Sequence, residues 1–132
     1  MIQKIDITKK LGHGMRTPDY GKIYVAHPYG GEDKNARASR RICNLLYKGF
    51  FYRRIGKGTI INPIECFAWM RYGSRSFEEE ISDCFRLLEG CDCLFLTGNW
   101  RDSKGCCAEY AYARAKDIPI YEIVEGENDT KN

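Results

Sequence analysis

Short apolar runs alternate with amphipathic helical stripes along this chain, and that order leaves few folds open. Residues 22–26 (KIYVA), 59–62 (TIIN), 92–96 (DCLFL) and 118–124 (IPIYEIV) are rich in β-branched and aromatic side chains. Between them lie stretches with apolar residues at helical spacing. Over 33–48 the stripe is Ala38, Ile42, Cys43, Leu45 and Leu46; over 77–90 it is Phe77, Ile81, Cys84, Phe85 and Leu88. A third helix is predicted from 106 to 116, and a short one within 64–70. Asp33 and Ser76 stand where helix-starting residues belong. Strands followed in turn by helices call for a mostly parallel sheet with helices on both faces. The run at 92–96 is apolar almost throughout, as a parallel strand buried on both faces should be. A length of 132 residues suits one α/β domain of three layers spanning 1–132. Residues 1–21 read as an irregular arm with room for a short strand at 2–7, and 125–132 as a polar tail.

The stretch with the most chemistry is 97–110, TGNWRDSKGCCAEY. It joins a buried strand to a helix, so it stands at a carboxyl end of the sheet, where α/β proteins bind ligands. Glu109 reads as a first-turn glutamate, where the helix dipole favours the carboxylate. Gly105, the Ser103 hydroxyl and the first-turn N–H groups form a natural anion site. A second loop, His27-Pro28-Tyr29-Gly30-Gly31, follows the first strand and should face the first loop across the switch-point crevice. Tyr24, Tyr29 and Trp100 are placed to stack on a ligand ring, or else to serve as core and loop anchor. Asp83 is the candidate partner carboxylate, although it falls opposite the Ile81–Phe85 stripe, where a solvated aspartate also belongs. Asp92 begins a strand, far from the crevice. A rival chemistry would use Cys106 or Cys107 as a thiolate at the helix start, with His27 as base; buried cysteine acting as a small apolar residue competes with it.

Composition narrows the remaining classes. No apolar run approaches the roughly 18 residues of a membrane span, so no membrane partner is expected. Seven cysteines without paired CxxC spacing predict neither a disulfide framework nor a metal site, and a reducing cytoplasm is the expected setting. No Walker sequence is present, so NTP hydrolysis is not expected. A net charge of +3 does not by itself predict nucleic acid as a partner. Yet residues 34–57 hold eight basic side chains and no acidic one. They read as a solvated face or as a surface for an anion; nucleic acid is not the expected partner, and a third reading makes Lys34–Lys57 its binding stretch.

These motifs, taken together, resemble the nucleoside 2-deoxyribosyltransferase-like superfamily, and most of all its small DUF4406-type branch. The residues that carry the resemblance are 23–31 (IYVAHPYGG) with Asn35, 61–63 (INP), Asp83 and 91–113 (CDCLFLTGNWRDSKGCCAEYAYA). It covers roughly 22–124. It implies a five-stranded parallel sheet of flavodoxin-like order, no cofactor, a nucleoside or nucleotide ligand, and a homo-oligomer, dimer or higher. It implies Glu109 as the nucleophile at the anomeric carbon, Asp83 as the group that binds the base or handles its proton, and Tyr24 as the residue positioning the nucleophile. Gly30, Gly31, His27, Asn35, Gly105 and Trp100 would then surround the substrate. The position six before the glutamate is aspartate in the transferases and serine in the monophosphate hydrolases, and here it is Ser103. His27-Pro28 departs from the small residues and arginine of those hydrolases. The expected function is cleavage or exchange of the N-glycosidic bond of a (deoxy)nucleoside 5′-monophosphate. The alternative is a protein that binds a nucleotide or nucleotide-derived signal without turnover.

Overall fold

The computed structural model of the chain describes residues 2–12, 14–70 and 72–126. Met1, His13, Arg71 and residues 127–132 lie outside the described residues, and with them most of the expected polar tail and the first position of the loop at 71–76. The strands are β1 (Gln3–Asp6), β2 (Asp19–Ala26), β3 (Lys57–Ile61), β4 (Cys93–Leu96) and β5 (Ile120–Val124). The helices are α1 (Asp33–Lys48), α2 (Pro63–Cys66), α3 (Phe77–Glu89) and α4 (Lys104–Ala115). A π-helical turn, Gly49–Arg53, follows α1, and a 3-10 turn, Trp100–Asp102, precedes α4.

All five strands pair in parallel in the order β1-β5-β4-β2-β3. The arm is therefore not merely irregular. It supplies the edge strand β1, in register with β5 from Gln3↔Tyr121 to Asp6↔Val124. The order is the flavodoxin-like one, with the outermost strand taken from the amino end of the chain. β2 also starts three residues earlier than its apolar run. Its first residues are irregular, and Gly21, at φ +66°, sits against Asp92, whose Oδ2 accepts from the Lys22 N–H at 2.7 Å.

Strand alternation divides the core in two. Ile23, Val25, Cys93 and Phe95 meet Ile42 and Leu46 of α1 on one face. Tyr24, Ala26, Leu94 and Leu96 meet Leu88, Cys106 and Ala113, from α3 and α4, on the other. Ser76 caps α3 in a reciprocal capping box with Glu79. Ser103 caps α4, its Oγ accepting from the Cys106 N–H at 3.2 Å. Asp33 is the first residue of α1 rather than its cap; Glu32 holds the cap position without a side-chain hydrogen bond. No helix among the described residues is long and apolar enough to cross a membrane.

Candidate active site

Strand order reverses between β2 and β4, and their carboxyl ends open into a cavity of about 650 Å³. The loops after these two strands both line it: His27, Pro28, Tyr29 and Gly30 from one, Asn99, Asp102 and Ser103 from the other. Gly30 and Gly31 turn the first loop at φ +59° and +77°. Asn35 ties it down, its Nδ2 donating to the Tyr29 carbonyl at 2.9 Å. The second loop passes close to His27 through Gly98, where a Cβ would lie 3.0 Å from the imidazole Nε2.

Glu109 reaches the floor of this cavity. It shares a face of α4 with Cys106 and Ala113, at helical spacing, and that face is turned to the sheet. The carboxyl is almost wholly buried, and the Tyr24 hydroxyl donates a hydrogen bond to its Oε2. Because α4 starts at Lys104, not at 106, Glu109 is the sixth helical residue and lies beyond the first turn. The free N–H groups at the helix start do not reach it. Burial therefore wins over the expected dipole effect. It pushes the Glu109 carboxyl up to about 7, and the Tyr24 bond pulls the other way. Burial and the neighbouring carboxylate likewise raise the Tyr24 hydroxyl well above its ordinary value.

Burial raises Cys106 to about 12 and Cys84, which also lines the cavity, to about 11. Cys107 is exposed, and its thiol lies 3.3 Å from the Arg101 carbonyl. The His27 imidazole hydrogen-bonds through Nδ1 to the Pro28 carbonyl at 2.8 Å, and burial lowers its pKa. The thiol–imidazole arrangement is not formed.

Three other expected site residues lie away from the cavity wall. Trp100 is buried, its Nε1–H donating to Glu122 at 2.7 Å, and it anchors the loop from beneath. Arg101 stacks on the Trp100 ring at 4.5 Å and bonds the same carboxylate. Asp83 turns aside to Arg75 at 2.8 Å, and it is Arg75 that lines the cavity. The Tyr72 ring occupies the space a side chain at Gly31 would need, which puts Gly31 behind the wall. The residues expected on the wall and found there are Tyr24, His27, Gly30, Asn35, Ser103, Gly105 and Glu109.

Sequence reasoning passed over the far wall. Phe67, Met70, Tyr72 and Arg75 close that side, and the Tyr72 ring meets Tyr29 edge-on at 5.2 Å. Phe77, Ile81 and Cys84 of the apolar α3 stripe also face the cavity. The available signal was the mix of aromatic and basic residues in RYGSRS at 71–76.

The sequence matches the family described as Domain of unknown function (DUF4406) over residues 21–122. The chain belongs to that family. The fold is that of a solved 2-deoxyribosyltransferase from the psychrotolerant bacterium Bacillus psychrosaccharolyticus, an enzyme described as a biocatalyst for nucleoside synthesis. The two share 19% identity at a TM-score of 0.57, covering 81% of this chain and 75% of that one. No curated protein sequence matches the chain.

Proposed function

We propose that this protein cleaves or exchanges the N-glycosidic bond of a (deoxy)nucleoside 5′-monophosphate, with Glu109 as nucleophile. The observation that carries the reading is a buried carboxyl, held by the Tyr24 hydroxyl, on the floor of a cavity at the switch point. The likeness to a 2-deoxyribosyltransferase supports it at the level of fold. Breaking a bond from C1′ to a base nitrogen builds positive charge on the sugar, and a fixed carboxylate beneath the ring stabilises that charge. Glu109 then donates an electron pair to C1′ as the C1′–N bond breaks, and the departing base takes up a proton from water. The resulting glycosyl ester is opened by water or by a second base. Tyr24 holds the attacking carboxylate in place. Ser103, Gly105 and the first-turn N–H groups of α4 receive the 5′-phosphate. Asp83 acts through Arg75, orienting it towards the ligand. The pocket works within a homo-oligomer in a reducing cytoplasm and needs no cofactor.

Incubation with a panel of deoxynucleoside and nucleoside monophosphates should release free base, measured by chromatography. Release unchanged in Glu109→Ala would sink the mechanism.

One observation favours a second reading, a binding protein without turnover. Asp83, the expected second acid, is held by Arg75 outside the cavity wall. Tight nucleotide binding without base release, retained in Glu109→Gln, would select that reading.

A further inference from the structure

The far end of the molecule carries a second surface that the cavity chemistry does not use. The π-helical turn Gly49–Arg53 precedes β3 directly, so it sits at the amino ends of the strands, away from the cavity. Such turns are uncommon and recur at functional sites. In this one the side chains divide. Phe50 turns inward and stacks on Tyr20 at 6.2 Å. Phe51 and Tyr52 turn outward and are 66% and 68% exposed, with Tyr47, one helical turn earlier, at 56%. Phe51 lies 6.0 Å from Tyr47, nearly parallel to it, and 5.0 Å from Tyr52, edge-on. The three rings form one exposed aromatic ridge.

The ridge is set among cations. Lys48, Arg53, Arg54 and Lys57 flank it in the chain, and no acidic residue occurs between 34 and 57. Arg53 and Arg54 are also bonded to the arm, through Leu11 N–H to the Arg53 carbonyl and Arg54 Nη2 to Thr17 Oγ1, both at 2.9 Å. That places a segment carrying Lys9, Lys10 and Arg16 alongside. Two carboxylates at the amino ends of the strands are already engaged: Asp19 accepts from the Gly21 N–H at 3.0 Å and Asp92 from the Lys22 N–H at 2.7 Å.

We propose that the ridge Tyr47–Phe51–Tyr52, with the cations Lys48, Arg53, Arg54 and Lys57, is a binding surface for single-stranded nucleic acid. Bases stack on exposed aromatic faces regardless of sequence, and lysine and arginine follow the phosphates. A net charge of +3 made no case for such a partner because it averages over a chain whose basic residues cluster between 34 and 57. A second copy of the chain is a poor occupant, since a two-fold contact would set this cationic surface against itself. An anionic bilayer also attracts cations, but the ridge offers planar rings on a five-residue turn rather than the long apolar helical face that lies in a membrane surface.

The test is fluorescence anisotropy of a labelled 20-nucleotide oligo(dT) and oligo(U) with the full chain. Binding is expected at 50 mM salt, weakening about tenfold by 200 mM. Phe51→Leu with Tyr52→Leu keeps apolar area but removes the ring faces, and should weaken binding tenfold or more. Lys48→Ala with Lys57→Ala should weaken it and flatten the salt dependence. Glu109→Gln should leave it unchanged, which separates this surface from the cavity. No binding at 50 mM salt overturns the proposal. So does loss of binding in Glu109→Gln, or full binding in the leucine variant. Capture by phosphatidylserine vesicles without oligonucleotide binding, or a monomer–dimer equilibrium that the leucine variant abolishes without any oligonucleotide binding, overturns it too.

Discussion

The two faces of the sheet are built from alternate residues of the same strands, and they have become different materials. On the α1 face, Ile23, Val25, Phe95, Ile42 and Leu46 form an apolar layer. The one buried side-chain polar atom without a hydrogen-bond partner among the described residues, Ser39 Oγ, is on this helix. On the α4 face, Tyr24 and Glu109 break the apolar layer, but they satisfy one another and open to the cavity. A buried carboxyl is costly unless something holds it, so the contrast makes the α4 face the candidate for reactivity. One face seals the domain; the other keeps a buried carboxyl beside a cavity.

The sharpest way to break this contrast is Glu109→Ala. If the α4 face is the reactive one, base release falls on the order of 10³-fold or more, while circular dichroism stays native.

Leu46→Ala probes the other face. It should cost about 2–5 kcal/mol in denaturant unfolding, with kcat/KM for base release unchanged below the melting temperature. A large loss of kcat/KM would show that the faces are not independent.

The third test follows the proton. The folded Glu109 carboxyl is raised from 4.5 to about 7. Between those values the folded chain holds a proton that the unfolded chain has released. This contribution to stability is present in full below pH 4.5 and is lost as pH rises through 7, a change of about 3 kcal/mol. Glu109→Gln should lack this component, so the wild type's stability at pH 8 relative to pH 5 should be lower by about that amount. A wild-type pH dependence matching that of Glu109→Gln would show that the carboxyl is not desolvated.

Tyr24→Phe is a smaller perturbation. Its hydroxyl favours the ionised carboxylate, so its loss should move the rising limb of the kcat/KM–pH profile to higher pH. An unmoved limb would remove the assigned pairing.

Ser103→Ala has the smallest expected effect. Loss of the cap costs about 1 kcal/mol of stability. If Ser103 also receives a phosphate, KM should rise for monophosphates and not for free nucleosides.

Much of the architecture could be read from pattern. α1 was placed at its observed ends because a helical stripe runs from a loop glycine pair to Lys48. The strand at 92–96 and the helix after it were legible because a doubly buried strand is apolar along its whole length. The start of α4 was not, because Lys104 and Gly105 carry no apolar signal and the first helical turn is set by the Ser103 cap. That two-residue difference puts Glu109 beyond the first turn, and burial, which no local pattern shows, raises its pKa where the dipole argument predicts a lowering. Trp100 shows the same limit: an aromatic residue in a polar loop looks like a ligand stacker until Glu122, 22 residues away, is found beneath it. Asp83 was visible as an acid on the polar side of α3, but its partner Arg75 lies in a loop with no periodicity to orient it.

The sequence by itself determined the alternation of strands and helices, the parallel sheet and the two cavity loops, while Glu109 stood out through the family resemblance. These are local consequences of side-chain period and turn chemistry. Tertiary structure alone decided that the arm supplies the edge strand and that Tyr24 meets Glu109. It also turned Asp83 away from the cavity wall, onto Arg75. The β1–β5 pairing and the Tyr24–Glu109 bond join residues distant in the chain, whose meeting is set by packing and desolvation rather than by any pattern along the sequence.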